Sequence, residues 1–309
     1  MLIGAIDGGG TKVLTAVMKT DGTIVARRQE TVPTADIPAY FRRCAGMLAA
    51  CAQEAGVTLH ALEGVGMNIP GMVTPDGYVL GSPSAGWGAF QARPLLADAL
   101  ALSGGCLFFE NDINACALAE RRFGGAGDNF IWLTISTGNG GAVVANGRLV
   151  RGNDGCAGEI GHLKVERDAP YPCGCGGRGC LEAHASGVAI ARRAVEAGLP
   201  AGTDAKRCEE LARCGNTTAR AVYAQTGTYI GRALAMAANL LNPAQAFIGG
   251  GASKALDLML PGIQQTLHQE AIPQCRSLRV TQTSLGYEAA LLGAASVCLD
   301  GLNKSGADA

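Results

Sequence analysis

The chain has 309 residues, 25 of them Lys or Arg and 26 Asp or Glu, for a formal charge of −1 at neutral pH. That length suits one large or two medium domains with a substantial hydrophobic core, and the even charge balance leaves no footprint for nucleic acid or an anionic membrane surface. No apolar run reaches the roughly eighteen residues of a membrane-spanning helix. The N-terminus lacks the features of a secretory leader, and with twelve cysteines this points to a reducing, cytoplasmic setting.

In chain order, residues 2–7 (LIGAID) read as a buried strand ending on Asp7. Gly8-Gly9-Gly10-Thr11-Lys12 follows, then a strand over 13–18, a hairpin signal at Asp21-Gly22 and a third strand over 23–28. Backbone N–H groups in such a turn are free of side-chain cover and suit anionic oxygens, while Thr11 and Lys12 add a hydroxyl and a charge. An ordinary glycine-rich β-turn has the same composition. The turn is neither a Walker A loop, which has a wider spacing, nor a dinucleotide fingerprint, because a strand follows it and not a helix. Phe41, Ala45, Leu48, Ala52 and Ala55 recur at helical spacing over 38–55. Residues 62–69 read as a buried strand closed by Pro70-Gly71, 94–102 as a short helix and 106–109 as another buried strand. Glu110-Asn111-Asp112 then stands at a strand end, ahead of a helix over 115–122, where open α/β sheets bind ligands. Asp112 is equally suited to an ordinary first-turn position in that helix.

The pattern then repeats. Residues 130–135 form a strand, Ser136-Thr137-Gly138-Asn139-Gly140-Gly141 a second glycine turn, 142–145 a strand, and Asn146-Gly147 a hairpin into 148–150. Two units with one organisation imply two similar domains, each offering a phosphate turn. The segment from Glu159 to Gly187 packs carboxylates, histidines and cysteines into one loop-rich stretch. Cys173, Cys175 and Cys180, with His162 upstream, make three thiolates and one imidazole, the donor set of a closed tetrahedral zinc site; small cysteines buried like hydrophobes are the alternative. Folding around a metal would carry Glu159 and Glu182 to fixed positions. Helices are expected over 188–197, 206–214 and 218–241, the last stopped at Asn242-Pro243. A strand at 244–248 runs into Gly249-Gly250-Gly251 and a helix over 253–264. A strand at 278–283 and a helix at 288–299 precede a small polar tail, 303–309, expected to fray.

Assembled, these motifs resemble the ROK family of sugar kinases within the actin/hexokinase-like superfamily. The resemblance covers D-x-G-G-T-K (Asp7, Gly9 to Lys12), E-N-D at 110–112, S-T-G-x-G-G at 136–141, E-x-G-H at 159–162, C-x-C-G-x-x-G-C at 173–180 and the triple glycine at 249–251. It implies an α/β, two-domain actin-like (ribonuclease H-like) ATPase fold with a cleft between the domains and a zinc-stapled loop. The first domain would cover 1–115, with a final helix at about 288–302 packing back on it, and the second 116–287, carrying the loop 159–187.

By the same resemblance, Asp112 is the general base toward a sugar 6-hydroxyl. Gly71, Asn111, Glu159, His162 and Glu182 bind ring hydroxyls, Asp112 itself also facing the sugar. Asp7, Gly9, Gly10, Thr11 and Lys12, with Ser136, Thr137, Gly138, Gly140 and Gly141, bracket Mg-ATP. Gly249, Gly250 and Gly251 lie by the nucleoside. His162, Cys173, Cys175 and Cys180 hold structural Zn2+. The implied partner is a small-molecule sugar, with neither nucleic acid nor membrane, in a homodimer or tetramer.

Two departures from the family pattern stand out. Ser84 replaces an Asn common in the loop before Trp87, and Gly8 replaces a branched apolar residue. Family repressors carry a winged helix-turn-helix ahead of the kinase-like fold, and the first strand here begins at Leu2, so a DNA-binding sensor is not expected. A catalytically silent sugar-sensing or regulatory protein is the alternative. The residues leave the sugar open among glucose, N-acetylhexosamines, fructose, mannose and allose.

Overall fold

The computed structural model describes residues 1–10 and 12–307, with side chains as far as Lys304. The chain divides into two compact units: Met1–Gly125 with Arg151–Cys156 and Tyr287–Ala309, and Ala126–Val150 with Ala157–Gly286.

The first unit is built on β1 (Leu2–Gly8), β2 (Lys12–Lys19), β3 (Ile24–Thr31), β4 (Val65–Ile69) and β8 (Leu107–Asn111), in the order β3-β2-β1-β4-β8. The meander β1–β2–β3 is antiparallel, and β4 and β8 add in parallel. The central strands read as near-continuous apolar runs because both faces of the sheet are covered, and all five residues of β4 are buried. On the edge strand β3, by contrast, the Arg27-Arg28 pair faces solvent. Helix α1 (Ile37–Glu54) covers one face: Asp36 caps it by accepting from the Ala39 N–H at 2.9 Å, and Phe41, Cys44, Leu48, Cys51 and Ala52 fall on the buried side. The C-terminal helix (Ala289–Ala307) packs on the sheet, and the carbonyl of Ala290 takes a hydrogen bond from Asn68 Nδ2 at 2.6 Å. A small sheet of β5 (Met72–Val73), β6 (Tyr78–Gly81) and β7 (Phe90–Gln91) leads into α2 (Ala92–Leu100). Helix α3 (Asp112–Phe123) follows β8 with no intervening loop.

The second unit repeats the scheme with β9 (Phe130–Ile135), β10 (Asn139–Ala145), β11 (Arg148–Leu149), β12 (Gln245–Gly249) and β13 (Arg279–Gln282), in the order β11-β10-β9-β12-β13. The senses match as well, antiparallel through β9–β10–β11 and parallel for β12 and β13. Five helices accompany it: α4 (Leu181–Ala185), α5 (Gly187–Glu196), α6 (Ala205–Arg213), α7 (Thr217–Leu241) and α8 (Leu256–Glu270). α7 and α8 pack on each other. α7 stops where Asn242 turns left-handed (φ 46°) ahead of Pro243.

Several elements differ from the sequence reading at their ends. β8 runs on to Asn111, and α3 begins at Asp112 and not 115, because the Asn111 side chain caps it. The expected helix at 253–264 opens with a 3-10 turn, Gly251–Ala255, and its α-helical part reaches Glu270. The final helix continues through residues 303–307, which the polar composition had suggested would fray. Among the described residues no helix is long and apolar enough to cross a membrane.

Candidate active site

In the first unit the glycine turn joins β1 to β2, with Tyr40 Oη donating to the Gly9 carbonyl at 3.1 Å. Gly10 lies directly against the backbone of Ser84, where an added Cβ would come within 2.9 Å of the Ser84 carbonyl oxygen. Lys12 is exposed at the start of β2; Thr11 lies outside the described residues. Asp7, at the end of β1, has its carboxyl pushed up to about 6 by burial, an effect partly offset by a hydrogen bond with Asn68.

Hydrogen bonds concentrate at the strand-to-helix corner. Asn111 Oδ1 accepts from the N–H groups of Ile113 and Asn114 at 2.9 and 3.0 Å, satisfying two of the free donors at the start of α3. Its amide Nδ2 donates to the Gly71 carbonyl at 2.8 Å and to Asp112 Oδ1 at 3.0 Å. Gly71 has φ 99°, and a Cβ there would meet the Gly81 carbonyl oxygen at 2.3 Å, so only glycine presents its carbonyl in this way. Asp112 Oδ1 also accepts from the Ile113 N–H at 3.0 Å. Burial, and then the negative charge of Asp7, push the Asp112 carboxyl up to about 7; the backbone N–H of Ile113 and the Asn111 amide act in the opposite direction. Hydrogen bonds thus join Gly71, Asn111 and Asp112, and Asp7 lies near enough for its charge to act on Asp112.

In the second unit the glycine turn between β9 and β10 is tied to Glu182, 43 residues further on. Glu182 Oε2 accepts from the Asn139 N–H at 3.0 Å, and the carboxylate lies so close to Gly138 that a Cβ there would meet the same oxygen at 2.4 Å. Glu182 stands in the first turn of α4, two residues after Cys180, so the cysteine segment and the second glycine turn meet at this carboxylate. A cavity of about 320 Å³ opens there, lined by Thr137, Gly138, Glu182, Ser186, Ala189 and Arg192 among others. Sequence reasoning missed Arg192. Its guanidinium stacks over the Tyr171 ring at 3.5 Å and donates to the Ala183 carbonyl at 2.5 Å, but nothing local distinguishes it from any other helix arginine. The third glycine turn lies beside the second, since a Cβ added at Gly250 (φ 83°) would meet the carbonyl oxygen of Ile135, just before Ser136, at 2.4 Å.

His162, Cys173, Cys175 and Cys180 bring one donor atom each to within 4.8 Å of one another. Cys175 Sγ and Cys180 Sγ are 3.6 Å apart, and Cys173 Sγ and His162 Nδ1 also 3.6 Å. In a tetrahedral zinc site, with Zn–S of about 2.3 Å, donor–donor edges come to about 3.8 Å between sulfurs and slightly less to nitrogen. The quartet fits zinc on this test. Lys164 Nζ, 2.9 Å from Cys180 Sγ, offsets part of the charge of three thiolates. Nδ1 toward the metal leaves His162 Nε2 facing Glu159, whose carboxylate is 3.8 Å away and exposed.

The sequence matches the ROK family over residues 3–300. It is 32% identical over 308 residues to a glucokinase of Halalkalibacterium halodurans, covering 93% of this chain and 92% of that one. It is 33% identical over 319 residues to a glucokinase of Thermotoga maritima, covering 96% of each. The fold is similar to a crystal structure of a ROK family glucokinase from Streptomyces griseus in complex with glucose and AMPPNP, with a TM-score of 0.80, 30% identity, and coverage of 97% of this chain and 100% of that one. A match running almost end to end in both sequence and fold makes this chain a member of the ROK family.

Proposed function

We propose that the chain is an ATP-dependent sugar kinase that phosphorylates the 6-hydroxyl of a glucose-type hexose or N-acetylhexosamine, with Asp112 as general base. The observation that carries this reading is the state of Asp112. A carboxylate fixed through one oxygen and pushed up to about 7 is matched to accepting a proton near neutral pH. In the step, sugar O6 bonds to the γ-phosphorus, the bond from that phosphorus to the β,γ-bridging oxygen breaks, and ADP leaves with the electron pair. The hydroxyl proton goes to Asp112. Such a transfer needs positioning and charge neutralisation more than covalent chemistry. The likeness to glucokinases supports the same assignment.

In this reading Asp7, Gly9 to Lys12 and Ser136 to Gly141 serve Mg-ATP, and Gly249 to Gly251 its nucleoside. Gly71, Asn111, Glu159, His162 and Glu182 recognise ring hydroxyls, where a missing partner would leave a polar group unpaired. His162, Cys173, Cys175 and Cys180 would hold a zinc ion, which would supply a cross-link and not an open coordination position. The spacing of that quartet supports a structural zinc in the segment that carries Glu159 and Glu182. We further infer a cytoplasmic homodimer or tetramer with no nucleic-acid partner.

The test is ADP release with Mg-ATP across a panel of hexoses and N-acetylhexosamines. Turnover concentrated on a glucose-type sugar is expected. Absence of sugar-dependent ADP release across the panel would overturn the kinase reading in favour of a sugar sensor. Ser84 enters here: the Ser84→Asn variant should change the ranking of sugars that differ at their distal hydroxyls.

A further inference from the structure

Glu110, the first residue of the E-N-D run, has no part in the proposed phosphoryl transfer, yet it is only 2% exposed. A buried carboxylate stays ionised only where partners replace its water. Both oxygens are fully engaged. Oε1 accepts from the Asn111 N–H at 3.1 Å and from Asn114 Nδ2 at 3.0 Å, while Oε2 receives Arg151 through Nε at 2.8 Å and Nη2 at 2.6 Å. Arg151 comes from a short excursion, Arg151–Cys156, whose flanking residues on both sides belong to the second unit. The far end of the excursion rests on the strand after Gly71: Cys156 Sγ lies 3.3 Å from Met72 Sδ. Gly71 in turn supplies the carbonyl that fixes the Asn111 amide. The excursion therefore reaches the E-N-D corner directly through Arg151 and, at its other end, packs on the residue after Gly71.

We infer that Arg151 is a positioning residue for Asp112: by neutralising buried Glu110 it fixes the strand-to-helix corner that aims the Asp112 carboxylate. The inference rests on Asp112 serving as the base. The chain of contacts is short. Arg151 holds Glu110, Glu110 holds the Asn111 N–H and the Asn114 side chain, and Asn111 holds Asp112 Oδ1. Without the guanidinium, Glu110 is an uncompensated charge in a dry place; it must swing toward water, and that movement releases Asn111.

The experiment compares Arg151→Met, Arg151→Lys and the double variant Arg151→Met/Glu110→Gln in steady-state kinetics. Arg151→Met should lower kcat by about 10²-fold, the cost of a small misplacement of reacting groups, with the sugar KM little changed. Arg151→Lys restores the charge without the fork and should lie between Met and the parent. The double variant removes the orphan charge but keeps an amide acceptor, and should return kcat to within about fivefold of the parent, since neighbouring sites couple strongly. Parental kcat in Arg151→Met, a defect confined to KM, or no rescue by Glu110→Gln would each overturn the inference. If Arg151→Met does not yield folded protein, Arg151→Lys takes its place: a lowered kcat that rises when Glu110→Gln is added supports the inference, and a parental kcat or one unmoved by Glu110→Gln overturns it. Retained turnover in Asp112→Asn would instead remove the base assignment, so the two failures are distinguishable.

Discussion

Replacing Asp112 by asparagine should disable the protein and stabilise it at the same time. Burial and Asp7 raise the Asp112 carboxyl from its ordinary 3.8 to about 7. Between those values the folded protein keeps a proton that the unfolded chain has already released. The contribution of Asp112 to stability therefore falls as pH rises through this window, and above about pH 8 the full cost of an ionised carboxylate is present. At about 1.36 kcal/mol per pH unit the gap corresponds to about 4 kcal/mol, and roughly half that once the partial access of water to this side chain is allowed for. Asparagine keeps an acceptor for the Ile113 N–H and carries no charge. The Asp112→Asn variant should match the parent near pH 4 and exceed it by about 2–4 kcal/mol at pH 8.5, while turnover falls at least about 10²-fold. Urea denaturation at the two pH values, with sugar-dependent ADP release alongside, measures both quantities. A variant equal to or weaker than the parent at pH 8.5 would refute the electrostatic reasoning. Undiminished turnover would refute the role.

The parent's kcat/KM should drop on the acid side with an apparent pKa near 7, because the base must be ionised to accept the proton; a profile flat down to pH 5 would contradict this. Cys175→Ser should lose stoichiometric zinc and melt at lower temperature, both read on the same sample by metal analysis and thermal unfolding. One tightly held zinc in that variant would show that the ligand set is wrong. Glu182→Ala leaves the Asn139 N–H without its acceptor, so KM for both ATP and sugar should rise, by about tenfold or more for a lost charge-assisted hydrogen bond. A change in the sugar KM alone would contradict the tie between the carboxylate and the phosphate turn.

The sheets were legible because their information is local. LIGAID and FIWLTI are apolar runs followed by glycine turns and hairpin signals, and each folds as the first strand of a meander. The metal quartet was legible for the same reason, since three of its donors lie within eight residues, spaced by glycines. What escaped is carried by pairs distant in sequence. The tie from Glu182 to Asn139 and the clasp of Arg151 on Glu110 span 43 and 41 residues, and no period or motif announces them. α3 starts earlier than the apolar spacing indicates because the Asn111 side chain caps it, and a cap sets the boundary without leaving a mark on that spacing. The five-residue helix α4 is too short to show a period at all.

The most direct test is the chemical identity of the product. Glucose labelled with 13C at C6, incubated with the protein and Mg-ATP, should give one phosphomonoester per ATP consumed, its phosphorus coupled to C6 in the NMR spectrum. ATP consumed with release of inorganic phosphate, or phosphorus attached at another carbon, would contradict transfer to the 6-hydroxyl under Asp112.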